Sequence, residues 1–183
     1  MANSYQYGGP DRIALLGNTG LPTEAGTGIT TGTGTLYYSS VVQTGDLITT
    51  QILVDITGLA SSITNLDIIG KTATANCHLG QVTAVVNGSI IGGRITCLET
   101  PATGDPDIDF YSATESTGTE DAAVTGLTET ALYARAASWA LGDVKALTAW
   151  PAANEYLYMA VGNTAVVGTY TAGRFLIELF GVA

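Results

Sequence analysis

The clearest pattern along the chain is a strict alternation of residue types between Leu47 and Thr57. One side of this stretch carries five β-branched residues, namely Ile48, Thr50, Ile52, Val54 and Ile56. A period of two predicts a β-strand with one buried face, because successive side chains of a strand point to opposite faces. Gly45-Asp46 before the strand and Gly58 behind it are turn residues that bound it.

Several other short runs of β-branched, aromatic and aliphatic residues predict further strands. They span residues 36–42, 66–69, 108–112, 144–150, 155–161 and 175–179. We expect Phe175, Ile177 and Leu179 to face the core in the last of them. In the run 144–150, Val144, Ala146, Thr148 and Trp150 alternate and are expected to share one face of the strand. Strands that recur about every ten residues are typical of an all-β sandwich or barrel.

Residues 81–98 predict a β-hairpin. The first strand places Val82, Ala84 and Val86 on one face. Asn87-Gly88 follows, which is the preferred pair for a two-residue type I′ turn. The returning strand is expected to bury Ile91, Ile95 and Cys97.

Only one window favours a helix, between Leu127 and Leu141. Leu132, Ala136 and Trp139 lie on one face at helical spacing within it. The sequence therefore predicts at most one short helix beside an antiparallel sheet structure.

The chain divides into an N-terminal arm, residues 1–35, and one β-sandwich domain, residues 36–183. The arm is rich in Gly and Thr, and its apolar side chains are few and dispersed. Such a segment cannot build a core of its own, so its apolar residues need cover from the body or from a partner. The expected assembly contacts are Tyr5, Tyr7, Arg12, Ile13, Leu15 and Leu16.

Composition narrows the functional classes. The 183 residues include 16 acidic and 6 basic residues, a net charge of −10, and only 12% of the residues are charged. This balance excludes nucleic acid as an expected partner, because phosphate binding needs clustered Lys and Arg. Neither a signal peptide nor an apolar run of about 20 residues is present, so we expect synthesis in the cytoplasm and no membrane partner.

No catalytic set is apparent, and we expect no enzymatic activity. His78 is the only histidine, so no nucleophile can be matched with a base and an orienting carboxylate. Cys77 and Cys97 are expected to be buried free thiols, since two cysteines and one histidine do not make a zinc set. We expect no cofactor.

The acidic segment around Asp105, Asp107 and Asp109 is the one candidate metal site. Carboxylates at alternate positions begin calcium loops, but Phe110 stands where an EF-hand needs Gly. A loop site completed by Glu99 or Glu115 is the alternative to a solvated acidic strand edge, which we favour. We therefore expect no resident metal ion.

Three longer stretches resemble one family. They are GTGTLYYSSVVQTGDLITTQILVDITGL, CLETPATGDPDIDFYSATE, and GDVKALTAWPAANEYLYMAVG together with TYTAGRFLIELFG. In their general sequence character, although not in any catalytic signature, they are similar to small virion proteins of tailed phages, of the type that decorates or cements the head. The resemblance covers most of the chain after Gly32, and it transfers no motif residue of known function.

The resemblance implies a structural protein on the outer surface of a phage capsid. It implies a jelly-roll-like body, binding to the major capsid protein, and self-association around a symmetry axis, which we expect to be a homotrimer. Two alternatives stay open. One is a tail or head-fibre component, and the other is a carbohydrate-binding β-sandwich in which Tyr37, Tyr38, Tyr156 and Tyr158 form an aromatic platform.

Overall fold

The computed structural model describes residues 24–134, 136–164 and 166–183. The six expected assembly contacts, Tyr5, Tyr7, Arg12, Ile13, Leu15 and Leu16, lie outside these ranges. The fold described below is therefore that of the body, with the last part of the expected arm attached to it.

The described chain forms ten strands, and every strand pair is antiparallel. The main sheet has five strands in the order β1 (Leu36–Thr44), β2 (Leu47–Asp55), β10 (Ala172–Val182), β4 (Ser89–Ala102) and β7 (Val144–Ala146). A second sheet has the order β6 (Glu129–Tyr133), β5 (Ile108–Ala113) and β8 (Tyr156–Val161). A third, two-stranded sheet pairs β3 (Ala60–Ser61) with β9 (Gly168–Thr169).

Helical structure is limited to single turns in the described ranges. These are α1 (Thr27–Thr30), α2 (Ala84–Asn87) and a 3-10 turn at Val124–Gly126. The all-β antiparallel sandwich predicted from the sequence is thus confirmed, with two one-turn helices where at most one was expected.

An aromatic cluster joins the two larger sheets. Phe110 of β5 and Phe175 of β10 approach edge to face, with their ring centroids 5.7 Å apart. Trp139 packs against both rings, at 6.1 Å and 5.4 Å. Its indole N–H donates to the carbonyl of Ile108 at 2.8 Å, which satisfies the polar atom of this buried ring. The core of the sandwich therefore lies between the inner faces of these two sheets.

Strand β2 follows the alternation of its sequence. Ile48, Thr50, Ile52, Val54 and Ile56 are all buried, as predicted. Gly45 joins β1 to β2 with a φ of +62°, while Asp46 has no positive φ. Glycine with positive φ at the first central position is the pattern of a type II′ turn, which matches the twist of a hairpin. Local sequence thus specifies both the buried face of β2 and its turn.

The predicted hairpin at residues 81–98 is wrong in its first half. Residues 84–87 form the turn α2 rather than a strand, and Ala84 is exposed. The amide oxygen of Asn87 accepts from the Thr83 backbone N–H at 2.8 Å and closes this turn locally. Gly88 follows the turn and precedes β4, with φ +68° and ψ −167°, a conformation that suits glycine.

The facing of the return strand β4 is also only partly as predicted. Ile95 and Cys97 are buried, but Ile91 is 55% exposed. A register shift against β10 lies between the pairs of Phe180 and Gly181, beside Gly92. This bulge changes which residues face inward, so the alternation is broken before Gly93.

The predicted helix between Leu127 and Leu141 is wrong as well. The segment contains strand β6 and then an irregular loop. Leu132 and Trp139 are nevertheless buried, one from the strand and the other from the loop. Because both side chains reach the core by tertiary packing, their helical spacing carries no information about local structure.

The strand predicted at 144–150 is shorter, and its alternating residues lie on the exposed side. Val144 is 53% exposed and Leu147 is buried. Val144 pairs with Thr96 and Ala146 with Arg94, two residues of β4 that point away from the core. The register with β4 sets the face of β7, which the sequence of β7 alone does not reveal.

The described end of the expected arm packs on the body. Ile29 is fully buried, and the backbone N–H of Gly26 donates to the carbonyl of His78 at 2.9 Å. The carbonyl of Gly28 accepts from the Lys71 backbone N–H at 2.6 Å. Residues 26–29 therefore contribute to the core of the sandwich.

We predict different costs for truncating the two tryptophans. Trp139→Ala removes a buried ring from the contact between the sheets and should lower the free energy of unfolding by about 3–5 kcal/mol. The matched variant Trp150→Ala, at a residue that is 46% exposed, should cost less than about 1 kcal/mol. Urea unfolding followed by circular dichroism measures both. Equal costs would contradict the placement of Trp139.

A second prediction compares two glycines with similar φ. A Cβ on Gly88 would lie 2.4 Å from the carbonyl oxygen of Val182, whereas a Cβ on Gly45 would have nothing within 4 Å. Gly45→Ala should therefore cost about 1–2 kcal/mol, which is the strain of positive φ alone. Gly88→Ala should exceed that cost by at least about 1 kcal/mol, because backbone must also move. Thermal denaturation of the two variants side by side tests this difference.

Candidate assembly surface

Side chains on the side of the main sheet that points away from the core form parallel rows set by the strand register. We call three neighbouring rows of that side the outer face. The first row contains Leu36, Asp55, Arg174 and Glu99. The central row contains Tyr38, Leu53, Leu176, Thr96 and Val144. The third row contains Ser40, Gln51, Glu178, Arg94 and Ala146. Two further rows, with Val42, Thr49 and Phe180 and with Thr44, Leu47 and Val182, lie beyond the third and carry no charge.

The central row is mostly apolar and accessible. Tyr38 is 61% and Val144 53% exposed, and Leu53 and Leu176 are half-buried between them. Leu98, 40% exposed, stands beside this row. Tyr38 and Leu98 border a shallow depression of about 460 Å³ whose lining includes Leu53 and Leu176. A continuous apolar row on an exposed sheet face marks an interaction surface rather than a random exposure.

Ion pairs flank the central row on both sides. In the first row, Nη2 of Arg174 lies 2.7 Å from Oδ2 of Asp55 and 3.8 Å from Oε2 of Glu99. In the third row, Arg94 pairs with Glu178, and Gln51 also donates to Glu178 at 3.2 Å. The outer face thus alternates between paired charges and apolar side chains.

These contacts keep both covered carboxylates ionised. Burial alone would raise the pKa of Asp55, but hydrogen bonds from Thr57 and Arg174 outweigh it and hold the pKa below its usual value. For Glu178, the hydrogen bond from Arg94 is the largest influence and lowers the pKa against the effect of burial. At neutral pH the face therefore carries fixed charges at defined positions.

The outer face is nearly neutral, although the chain as a whole is strongly acidic. Its two arginines and three carboxylates leave a net charge of −1, against −10 for the whole chain. Most of the acidic charge is therefore located elsewhere. Long-range repulsion is weakest where another copy, or any acidic protein, approaches through this face.

A second concavity, of about 450 Å³, lies beside α1 and includes His78, Tyr156, Asn76 and Glu24 in its lining. His78 is only 5% exposed and packs on Tyr156 with the ring centroids 4.9 Å apart. Within the described ranges, its Nδ1 has no hydrogen-bond partner. Burial lowers the pKa of His78, because the charged imidazolium loses its hydration there.

The four tyrosines of the carbohydrate-binding alternative do not converge on one groove. Tyr38 lies on the outer face, whereas Tyr37 points to the opposite side of β1, where its hydroxyl donates to the carbonyl of Leu79. Tyr158 is fully buried and donates to the carbonyl of Glu115 at 2.6 Å. Among the four, Tyr38 alone is exposed.

The three aspartates of the acidic segment are buried rather than solvated, which corrects the expectation of an exposed strand edge. The carboxylate of Asp105 accepts from the Asp107 backbone N–H at 2.8 Å and from the Thr164 hydroxyl. Asp107 accepts from the Asn163 backbone N–H at 3.0 Å. These carboxylates therefore fasten the loop after β8 to the loop before β5.

Glu99 and Glu115 are engaged elsewhere. Glu99 faces Arg174, and Glu115 accepts from the backbone and hydroxyl of Thr128 at 2.9 and 2.8 Å. Over residues 24–134, 136–164 and 166–183, no three His, Cys, Asp or Glu side chains are grouped so that they could hold a metal ion. Over the same residues, no helix is long and apolar enough to cross a bilayer.

Cys77 and Cys97 are buried free thiols, as predicted. Burial raises the pKa of the Cys77 thiol to about 12, so it is protonated at neutral pH.

The outer face was not predicted from the sequence. Its only local signal is the presence of Leu53 and Tyr38 on the polar sides of β2 and β1.

Comparison with known proteins gives no further guide to function. The chain matches no family model, no curated protein and no solved structure.

We predict a histidine-dependent loss of stability on mild acidification. In the unfolded chain a histidine has a pKa of about 6.5, and in the folded protein the pKa of His78 is lower. The unfolded state therefore binds more protons as the pH falls below about 6.5, and stability declines by at most about 1.4 kcal/mol per pH unit. The melting temperature should fall between pH 6.5 and 5.5 in the native chain and change less in His78→Phe. Identical pH profiles would contradict the buried, neutral state of His78.

Proposed function

We propose that this chain is a structural, non-enzymatic virion protein that decorates or cements the outer surface of a phage capsid by binding the major capsid protein. The observation that carries the proposal is the outer face, where an accessible apolar row lies between paired charges on a strongly acidic β-sandwich. A flat face of this kind suits contact with a broad protein surface, whereas small-molecule sites are concave.

The composition supports the same proposal. Only 12% of the residues are charged, and the interiors of protein interfaces are likewise poor in charged residues. Self-association as a homo-oligomer and contact with a capsid lattice would each cover such surface. The resemblance to decoration proteins of tailed phages points in the same direction.

The arm supplies a second contact in this proposal. Residues 24–35 are attached to the body through Gly26 and Ile29, so the segment that we propose to reach beyond its own subunit is residues 1–23. Burying Ile13, Leu15 and Leu16 on a partner would contribute roughly 1.5–3 kcal/mol for each large aliphatic side chain. Fixing the backbone costs about 1–2 kcal/mol per residue, so these burials can hold only the residues around them. Backbone hydrogen bonds to a strand edge of the partner would have to supply the rest.

Binding to capsid shells tests the proposal. We expect the full chain to saturate defined sites on shells that were assembled from the cognate major capsid protein without it. A variant with Ile13, Leu15 and Leu16 replaced by Ser should bind at least about tenfold more weakly, because three buried aliphatic contacts are lost. Cosedimentation over a range of protein concentrations measures both affinities.

A matched control separates apolar contact from general disturbance of the arm. Replacing Asn3, Gln6 and Asn18 by Ser changes three polar residues of the same segment and should leave the affinity unchanged. Unchanged binding by the Ile13, Leu15 and Leu16 variant would defeat the role of the arm. Failure of the full chain to bind such shells at all would defeat the proposed function.

A further inference from the structure

The charges on the outer face are in opposite order on the two sides of the central row. In the first row, β10 and β4 present Arg174 and Glu99. In the third row, the same two strands present Glu178 and Arg94. Strand β10 thus has its positive charge in the first row and its negative charge in the third. Strand β4 has the reverse order.

From this arrangement we infer that the outer face packs against the same face of a second copy of this chain. The two-fold axis runs along the central row, midway between the main sheet of one copy and the main sheet of the other. Rotation about this axis places the first row of one copy over the third row of the other and keeps each strand over its counterpart. Contacts of this kind are isologous, so one patch serves both subunits.

The rotation brings opposite charges together along both charged strands, β10 and β4. Glu99 comes to lie over the partner's Arg94, and both side chains have room to meet, since they are 43% and 51% exposed. Arg174, whose side chain is 41% exposed, comes to lie over the partner's Glu178. That carboxylate is only 7% exposed and already paired with Arg94 of its own subunit, so this contact is an attraction at longer range rather than a new ion pair. Along strand β2, Asp55 lies over the partner's Gln51, whose side-chain amide can donate to a carboxylate.

The central row then packs on itself. Tyr38, Leu53, Leu176 and Val144 lie along the axis, so each meets the same row of the other copy. Sheets that pack face to face lie about 10 Å apart, a gap that apolar side chains from both sides fill. The exposed part of Tyr38 and Val144 is removed from water, which supplies the driving force.

The charge distribution favours a second copy as the occupant of this face. Two copies that each carry −10 repel one another over most of their surface. The outer face has a net charge of only −1, and the two-fold axis places its arginines opposite the partner's carboxylates. It is therefore the part of the surface where two copies attract each other. A strongly basic partner is expected to prefer the acidic remainder of the body instead.

The size of the face sets the expected affinity. The central row lies at least four residues from either end of β10 but only two residues from one end of β1 and of β2, so the overlap about the axis is about 30 Å long on β10 and about 17 Å on β1 and β2. Four strands about 4.8 Å apart cover a width of roughly 15–20 Å. Each copy can therefore cover roughly 400–500 Å², or about 800–1,000 Å² for the pair, at or just below the lower limit of a stable interface. We accordingly expect a weak dimer.

This inference rests on the proposed self-association and names the surface that mediates it. It gives a two-fold dimer, where the resemblance to decoration proteins led us to expect a homotrimer. In the dimer the outer face is covered, so shell binding would then depend on the arm, and the two proposals fail separately. A chain that is monomeric yet saturates its shell sites would remove the dimer and leave the proposed function standing.

Sedimentation equilibrium of the full chain tests the dimer. The native chain should dimerise, and Tyr38→Asp should raise the dissociation constant at least about tenfold, since it places two carboxylates on the axis. The matched variant Ile63→Asp adds the same charge at a residue that is 71% exposed and outside the three rows, and it should leave dimerisation unchanged. A monomeric native chain, or a trimer unaffected by Tyr38→Asp, would overturn the inference.

Two further variants guard against a simple loss of folding. Glu99→Lys sets a cation over the partner's Arg94 and should also weaken the dimer about tenfold, with a melting curve that remains cooperative. Tyr38→Cys should give covalent dimers with a bis-maleimide that spans about 10 Å, because Cys77 and Cys97 are buried and do not compete. Ile63→Cys is the control and should not be linked. Equal linking of both cysteines would count against the proposed axis.

Discussion

The pairing of β10 with both β2 and β4 is the interaction on which the rest of the structure depends. The last strand of the chain lies at the centre of the main sheet, and its Phe175 meets Phe110 of the other large sheet. The ion pairs of the outer face cross this strand, so the face exists only once β10 is in place. Because these pairings join distant parts of the sequence, we expect folding to be cooperative and limited by the search for non-local contacts.

The scarcity of basic residues shapes the interior as well as the surface. Buried carboxylates need partners, and the chain has only 6 Lys and Arg residues for 16 acids. Hydroxyl groups act as the hydrogen-bond donors in place of basic side chains. Ser62 donates to Asp67 at 2.6 Å, and Ser112 donates to Glu155 at 2.7 Å. This gives a physical reason for an interior that uses Ser and Thr beside acids, since charge-assisted hydrogen bonds replace ion pairs.

The two arginines of the outer face have two roles. Their own side chains are half-exposed, but Asp55 and Glu178 are covered, so Arg174 and Arg94 keep those carboxylates paired and also create the charge pattern of the face. They neutralise carboxylates that the strand register brings together and leave a face that another protein can cover. The body thus combines buried carboxylates that are paired by hydroxyls and arginines with an accessible apolar row on the outer face, which agrees with the proposed role in assembly.

The sequence by itself determined the elements whose signals are local. The alternation in β2 and at Phe175, Ile177 and Leu179 fixed their buried faces, and glycine at position 45 fixed the first hairpin turn. Tertiary structure decided the strand β6 in place of a helix and the burial of Asp105 and Asp107. It also decided the outer face, because Arg94 and Glu178 are 84 positions apart and Arg174 and Asp55 are 119 apart. No periodicity within one strand encodes its register with a strand so distant in sequence, and only the folded sheet brings these charges into rows.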